Sequence, residues 1–120
     1  MKQKSLKSLK AKLWKLISIH IRSVNADFAG YVACYTCNKV RQWKQMDCGH
    51  FIHNKLDFDE RNLKVQCKQC NKYKRGNLQI YLQNLIETYG LEWVKQLRED
   101  AKKGNNYSRL EIMELLKKYE

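Results

Sequence analysis

Cys34-Tyr35-Thr36-Cys37 and Cys67-Lys68-Gln69-Cys70 enclose Asp47-Cys48-Gly49-His50-Phe51-Ile52-His53, and the second pair runs straight into Asn71 and on to Gly76. Each Cys-x-x-Cys puts two thiolates on one tight turn, so two pairs supply the four soft ligands of a tetrahedral zinc site. The 29 residues between Cys37 and Cys67 exceed the loop of a plain zinc ribbon, so a folded element belongs inside it. Cys34, Cys37, Cys67 and Cys70 are read as ligands of a structural Zn²⁺, whose binding would supply much of the folding energy of so short a chain. Cys48 is read as a buried free thiol. The alternatives are that it displaces one of the four or joins His50 and His53 in a different site.

Charge supports this reading. The 120 residues hold 24 Lys plus Arg and 12 Asp plus Glu, a formal +12. Residues 87–120 contain seven of each sign, leaving 17 basic and five acidic residues in the first 86. A basic front and a neutral back suit a polyanion, most often nucleic acid. The length is that of one domain, 1–120. Nothing resembles a secretory signal, and Leu16–Ile21 reads as too short for a signal core or a membrane span. The acid-poor, amphipathic N-terminus also fits a mitochondrial transit peptide, although it has a single Arg. Paired cysteines without a signal point to a reducing, cytoplasmic setting, where they bind metal rather than each other.

Outside the core unit, expected at 30–76, the chain reads as helix. In residues 3–24, Leu6, Leu9, Leu13, Leu16, Ile17, His20, Ile21 and Val24 repeat at the helical period. Lys7, Lys10, Lys12 and Lys15 lie on its other faces, suited to sequence-independent phosphate contact. His20 falls on the apolar side and is read as a core residue. Residues 30–46 read as short extended pieces, Val40–Met46 among them. Phe51-Ile52-His53 is expected to be a further strand, and Leu63-Lys64-Val65 another. A short basic helix is expected at Lys72–Arg75, stopping at Gly76. The C-terminal part, 77–119, predicts three helices. Asn77 caps the first, Gly90 ends it, Gly104-Asn105-Asn106 forms a turn, and Ser108 with Glu111 makes a capping box.

A closed four-cysteine zinc has no open position and hydrolyses nothing. The loop it closes nevertheless carries Asp47, His50 and His53, with Asn62 and Asn71 beyond. Phosphodiester hydrolysis needs a base for water and a cation for the developing negative charge. A neutral histidine suits the first task, and Asp and Asn oxygens holding Mg²⁺ suit the second. The plainer alternative is that Asp47 and His50 pin a hairpin turn.

Taken together, Cys34-x-x-Cys37, Asp47-Cys48-Gly49-His50-Phe51, Asn62, Gln66-Cys67-Lys68-x-Cys70-Asn71 and Gly76-Asn77 resemble the HNH endonucleases, and more narrowly the NinG/Rap recombination proteins of phages. Tyr81-Leu82-x-x-Leu85-Ile86 and Tyr89-Gly90-Leu91 extend the likeness, which covers roughly residues 31–119. The resemblance implies an α+β fold. A small treble-clef or ββα-metal HNH core with its structural zinc would be flanked by a basic N-terminal helix (1–25) and C-terminal helices. It implies His50 as general base and Asn62 as the residue that braces the loop and orients it. Asp47 and Asn71 would hold a catalytic Mg²⁺ or Mn²⁺, with His53 assisting the metal or touching phosphate. Lys72, Lys74 and Arg75 would clamp phosphates. The activity implied is metal-dependent cleavage of branched DNA such as Holliday junctions and D-loops, and the two-fold symmetry of a four-way junction makes a homodimer the natural form for a resolvase. The alternative is a zinc-stabilised DNA-binding module without chemistry. One departure stands out. Many HNH proteins place Asp or His directly before the base, whereas here Gly49 stands there and Asp47 must reach the metal or stand behind it.

Overall fold

A computed structural model describes residues 4–104 and 107–120. Helix α1, Leu6–Val24, starts where the Ser5 hydroxyl accepts the Ser8 N–H at 3.1 Å. The start expected at residue 3 lies outside the described residues. Leu13, Ile17 and Ile21 are buried, packing on a strand pair and on the last helix. At roughly 1.5–3 kcal/mol for each such side chain, this seam makes α1 part of the core rather than an appendage. The stripe stops at Ile21, because Val24 is exposed. His20 packs edge-on against Tyr119 at 5.2 Å, a packing role as expected.

Among the described residues four short strands form two antiparallel pairs. Strand β1 (Tyr31–Ala33) pairs with β2 (Val40–Gln42), and β3 (Asp47–His50) with β4 (Leu63–Gln66). In the second pair Asp47 faces Gln66 and His50 faces Leu63. The extended segment expected to run to Met46 ends at Gln42, and Trp43–Gln45 form a 3-10 turn. The strand expected at Phe51–His53 lies four residues earlier. At Phe51 the chain turns around Asn62, whose carbonyl accepts the Phe51 N–H at 3.0 Å and whose side chain accepts the Ile52 N–H at 2.7 Å.

After β4 the second cysteine pair opens a wide helical turn, Gln69–Tyr73. The expected Lys72–Arg75 helix therefore begins and ends earlier. Arg75, Gly76 and Asn77 have φ of 52°, 97° and 49°, three left-handed residues in a row that swing the chain away. That conformation removes Asn77 from its expected capping role, and its amide instead points at the Cys70 sulfur at 3.6 Å.

The remaining helices are α2 (Leu78–Tyr89), α3 (Leu91–Lys103) and α4 (Arg109–Tyr119). Gly90, at φ 98°, separates the first two. Ser108 and Glu111 form the expected capping box. Residues 105 and 106 of the turn expected before it lie outside the described residues. Helix α4 closes on α1, whereas α2 and α3 gather around Phe51, Leu56 and Tyr81. The apolar faces of the C-terminal helices thus cover the chain's own core. Among the described residues no helix is long and apolar enough to cross a membrane.

Candidate functional site

The turn after β1 presents Cys34 and Cys37, and the end of β4 presents Cys67 and Cys70. Their four sulfurs lie within 4.8 Å of one another, with Cys37 and Cys67 at 3.6 Å. Zinc–sulfur arms of about 2.3 Å in a tetrahedron give sulfur–sulfur edges of roughly 3.8 Å, so the cluster fits a zinc ion and is far too open for disulfides. Donors already surround the sulfurs. The Thr36 hydroxyl lies 3.4 Å from Cys34, and the Cys70 N–H donates to Cys67 at 3.4 Å. Burial works against ionisation of Cys34, but Thr36 and neighbouring backbone N–H groups lower its thiol to about 6. Burial, with the other sulfurs close by, pushes Cys37 up to about 12. Four adjacent thiols cannot all ionise without a cation among them, which is the chemistry a zinc site supplies.

Cys48 stands outside this set. It is buried against the α1 seam, and burial holds its thiol at about 12 despite the pull of Arg22. The reading as a buried free thiol holds.

His50, the last residue of β3, is half-buried. Its Nε2 lies 3.1 Å from the Asp57 carbonyl. A carbonyl only accepts, so Nε2 carries the proton and Nδ1 is left as the basic nitrogen. The Trp14 indole stacks on the ring at 4.6 Å. Burial lowers the pKa of His50 below the usual value, with the Asp57 carbonyl and carboxylate pulling the other way. Trp14, His50, His53, Asn54, Asp57 and Phe58 line an open pocket of about 290 Å³. His53 is exposed there, and a Cβ placed on Gly76 would come within 3.4 Å of its Nε2.

Asn62 is fully buried. Its amide donates to the carbonyls of Ile52, Lys55 and Leu56 at 2.9, 3.1 and 3.3 Å. These bonds hold the loop that presents the Asp57 carbonyl to His50. Asn62 thus ties residues 52–56 together, and its hydrogen bonds go to that backbone rather than to His50.

Asp47 and Asn71 come together from β3 and the wide turn. The Asn71 amide donates to Asp47 Oδ2 at 3.1 Å, and Lys68 pairs with Oδ1 at 2.8 Å. Partial burial opposes ionisation, but Lys68 and Asn71, with Lys72 farther off, hold the Asp47 carboxyl below the usual carboxylate range. Their cleft, about 300 Å³, is walled by Arg22, Lys44, Lys68 and Lys72 and shares Trp14 with the His50 pocket. Of the expected phosphate-binding residues, only Lys72 lines this cleft. Lys74 and Arg75 are exposed beyond it, as are Lys7 and Lys15 on α1, with Lys10 partly covered. Lys12 pairs with Glu120 at 2.9 Å.

The sequence reading missed Trp14, Arg22, Lys44, Lys68 and Gln66. Trp14 carried a readable signal, a large aromatic off the apolar stripe of a lysine-rich helix. Arg22 donates to the carbonyls of Trp43 and Met46, both at 3.3 Å, and so ties α1 to the core unit. Nothing local in the sequence marks that contact.

Known proteins were compared with the chain. Protein ninG of Salmonella phage P22 is 38% identical over 74 residues, 58% of this chain and 36% of that relative. Protein ninG of Escherichia phage lambda is 35% identical over 71 residues, 56% and 34%. Protein ninG of Enterobacteria phage H19B is 40% identical over 60 residues, 47% and 30%. The chain spans about a third of the length of these curated relatives. No solved structure matches. A family model described as Bacteriophage Lambda NinG protein matches residues 1–120, taking in the helix that carries Trp14 as well as the cysteine unit, and the chain belongs to the NinG family.

Proposed function

We propose that the chain is a divalent-metal-dependent DNA endonuclease of the HNH type, built on a ββα-metal core, that hydrolyses a phosphodiester in branched recombination intermediates such as Holliday junctions and D-loops. One observation carries this reading. Strand β3 bears a histidine with a free basic nitrogen and an aspartate already in contact with Asn71, beside a cleft whose other charged walls are all cationic.

The parts divide the work as the chemistry requires. His50 Nδ1 takes a proton from the attacking water, while the Asp57 carbonyl fixes the tautomer. Burial keeps the ring neutral near pH 7, so the base is ready without prior deprotonation. Arg22, Lys44 and Lys72 hold phosphate oxygens. Asp47 and the amide oxygen of Asn71 are hard donors that fit Mg²⁺ or Mn²⁺, and Lys68 now places its own cation on Asp47 Oδ1. When bound, such an ion would stabilise charge on the phosphorane and the leaving oxygen. A zinc held by the four cysteines would take no part in the reaction and would staple β1 to the end of β4. Branched DNA as substrate, and a homodimer to match its symmetry, belong to the same reading.

Zinc-loaded protein with Mg²⁺ or Mn²⁺ should nick a four-way junction, and His50→Ala should abolish cutting while zinc content and junction affinity stay near wild type. Cutting by His50→Ala at the wild-type rate, or no cutting with any divalent ion, would leave a zinc-stabilised DNA-binding module.

A further inference from the structure

The cleft at Asp47 and Asn71 does not end there. Met46 and Lys68 also wall a second depression, lined by Lys39, Arg41, Gln45, Cys67 and Gln69. Through these shared walls one groove runs from Asp47 past the 3-10 turn to Cys67. Six cations line it: Arg22, Lys39, Arg41, Lys44, Lys68 and Lys72. Among the described residues Asp47 is its one acid.

Most of these cations meet no carboxylate. Among the described residues only Lys68 of the six pairs with a carboxylate. Half-buried Arg22 is held by carbonyls, by Ser18 and by the face of the Trp43 ring at 5.4 Å, and exposed Arg41 donates to the Val40 carbonyl, so neither meets a carboxylate. Lys39 reaches only the Gln69 amide, at 3.4 Å. A partly desolvated guanidinium without a carboxylate is costly unless an anion completes it. With exposed Arg41, Lys44 and Lys72 and part-covered Lys39, Arg22 belongs to a row of cations along one groove, which matches the repeating negative charge of a phosphate backbone better than any single anion.

We propose that this groove is the path of one DNA strand, with the phosphate to be cut at Asp47 and Asn71 and the phosphates beside it crossing the zinc knuckle onto Arg41 and Lys39. The inference rests on the nuclease reading for its choice of scissile phosphate. It assigns the knuckle a second task. Besides stapling the fold, it carries the strand across its outer face on side chains that flank its cysteines.

The test is the salt dependence of binding to a fluorescein-labelled four-way junction, measured by anisotropy with zinc-loaded protein in the absence of Mg²⁺. Lys39→Gln with Arg41→Gln removes two phosphate contacts. The slope of log affinity against log salt should become shallower by about 1.4–1.8, with affinity roughly tenfold weaker near 0.15 M salt. Lys39→Arg with Arg41→Lys keeps both charges and should restore affinity, which separates lost contacts from a damaged fold. Lys103→Gln with Lys117→Gln, on exposed positions of α3 and α4 outside the groove, should leave affinity near wild type. An unchanged slope in the groove variant, or an equal loss in the α3/α4 variant, overturns the strand path. Wild-type protein that binds no junction removes both this inference and the nuclease reading. Binding with the expected slope change but no cutting removes the nuclease reading alone.

Discussion

The Trp14 indole lies over the His50 imidazole, with centroids 4.6 Å apart and planes 21° from parallel. A helix that the knuckle motif does not include thus covers the residue assigned as the base. The stack holds the ring in place and excludes water from one face. Trp14→Ala should therefore lower the cleavage rate about tenfold or more through lost positioning. It should also shift the acid limb of the pH–rate profile. Burial depresses the His50 pKa, so readmitting water moves it up toward about 6.5 and the limb to higher pH. Trp14→Phe should keep both rate and limb near wild type. A Trp14→Ala limb at the wild-type pH would show that the stack does not tune the base.

Stability follows the same group, with a definite sign. Folded His50 binds a proton less readily than unfolded His50. Its protonation therefore penalises the fold as pH drops through the unfolded value of about 6.5, and it contributes nothing above that. Asp47 acts lower down. Its folded pKa is depressed, so its contribution is present above about 3.9 and is lost as pH falls through the folded value. Thermal melts of His50→Gln should fall less steeply than wild type on going from pH 7 to 5. Parallel curves would place the pH dependence elsewhere.

The sulfur cluster sets Cys34, inside it, apart from Cys48, outside it. Cys34→Ser should lose the zinc, and a zinc chelator should abolish cooperative unfolding of the wild type, because binding energy and folding energy are shared in such sites. Cys48→Ser should keep one zinc per chain, since Cys48 lies outside the cluster. Its cost should be about 1–3 kcal/mol, from a hydroxyl placed among apolar neighbours. Metal analysis beside circular-dichroism melts checks all three. Loss of zinc in Cys48→Ser would return that thiol to the ligand set.

Much of this could be read from the sequence, because the signals were local. Helix α1 followed its 3.6-residue stripe, Gly90 marked a break, and Ser108 with Glu111 marked a start. The cysteine pairs declared their cluster by spacing. The failures have equally physical causes. Cys48-Gly49 hides strand β3, because neither residue shows alternation, whereas Phe51-Ile52-His53 has strand-like composition but is bent by the buried Asn62. Asn77 looks like a cap until its left-handed backbone directs the amide to Cys70. Trp14 over His50, and Arg22 on the Met46 carbonyl, are contacts between distant segments that no local pattern encodes.

Asn62 offers a test of how the loop supports the base. Its side chain makes four hydrogen bonds to the backbone of residues 52–56, and it is fully buried. Asn62→Ala would strand those partners, costing about 2–4 kcal/mol. Asn62→Asp keeps the acceptor for the Ile52 N–H but loses the three donor bonds, so it should be nearly as damaging. Because the Asp57 carbonyl fixes His50, cleavage at a temperature where both variants remain folded should still be reduced. Full activity in a folded Asn62→Ala would make Asn62 a purely structural brace.

On the nuclease reading, Gly49 stands where many HNH proteins place an Asp or His before the base, and Gln66 leaves no room there for a side chain. A Cβ there would lie 1.8 Å from Gln66 Oε1 and 2.7 Å from Cδ. Gln66 cannot swing aside cheaply. It is fully buried, and its amide donates to the Thr36 hydroxyl at 3.1 Å and the Gly76 carbonyl at 2.8 Å. Those bonds join the first knuckle, β4 and the turn that carries Asn71, so the side chain over Gly49 ties together the segments that bear the site. Gly49→Ala should cost about 2–4 kcal/mol by urea denaturation, from overpacking and broken bonds. Gln66→Ala removes the obstacle, so the double variant should be more stable than the sum of the two losses by about 1 kcal/mol or more. Gly49→Asp, which installs the common acid, should lower rather than raise cleavage, leaving Asp47 as the acid available to a metal on this strand. Additive losses in the cycle would show that Gln66 does not exclude a side chain at position 49.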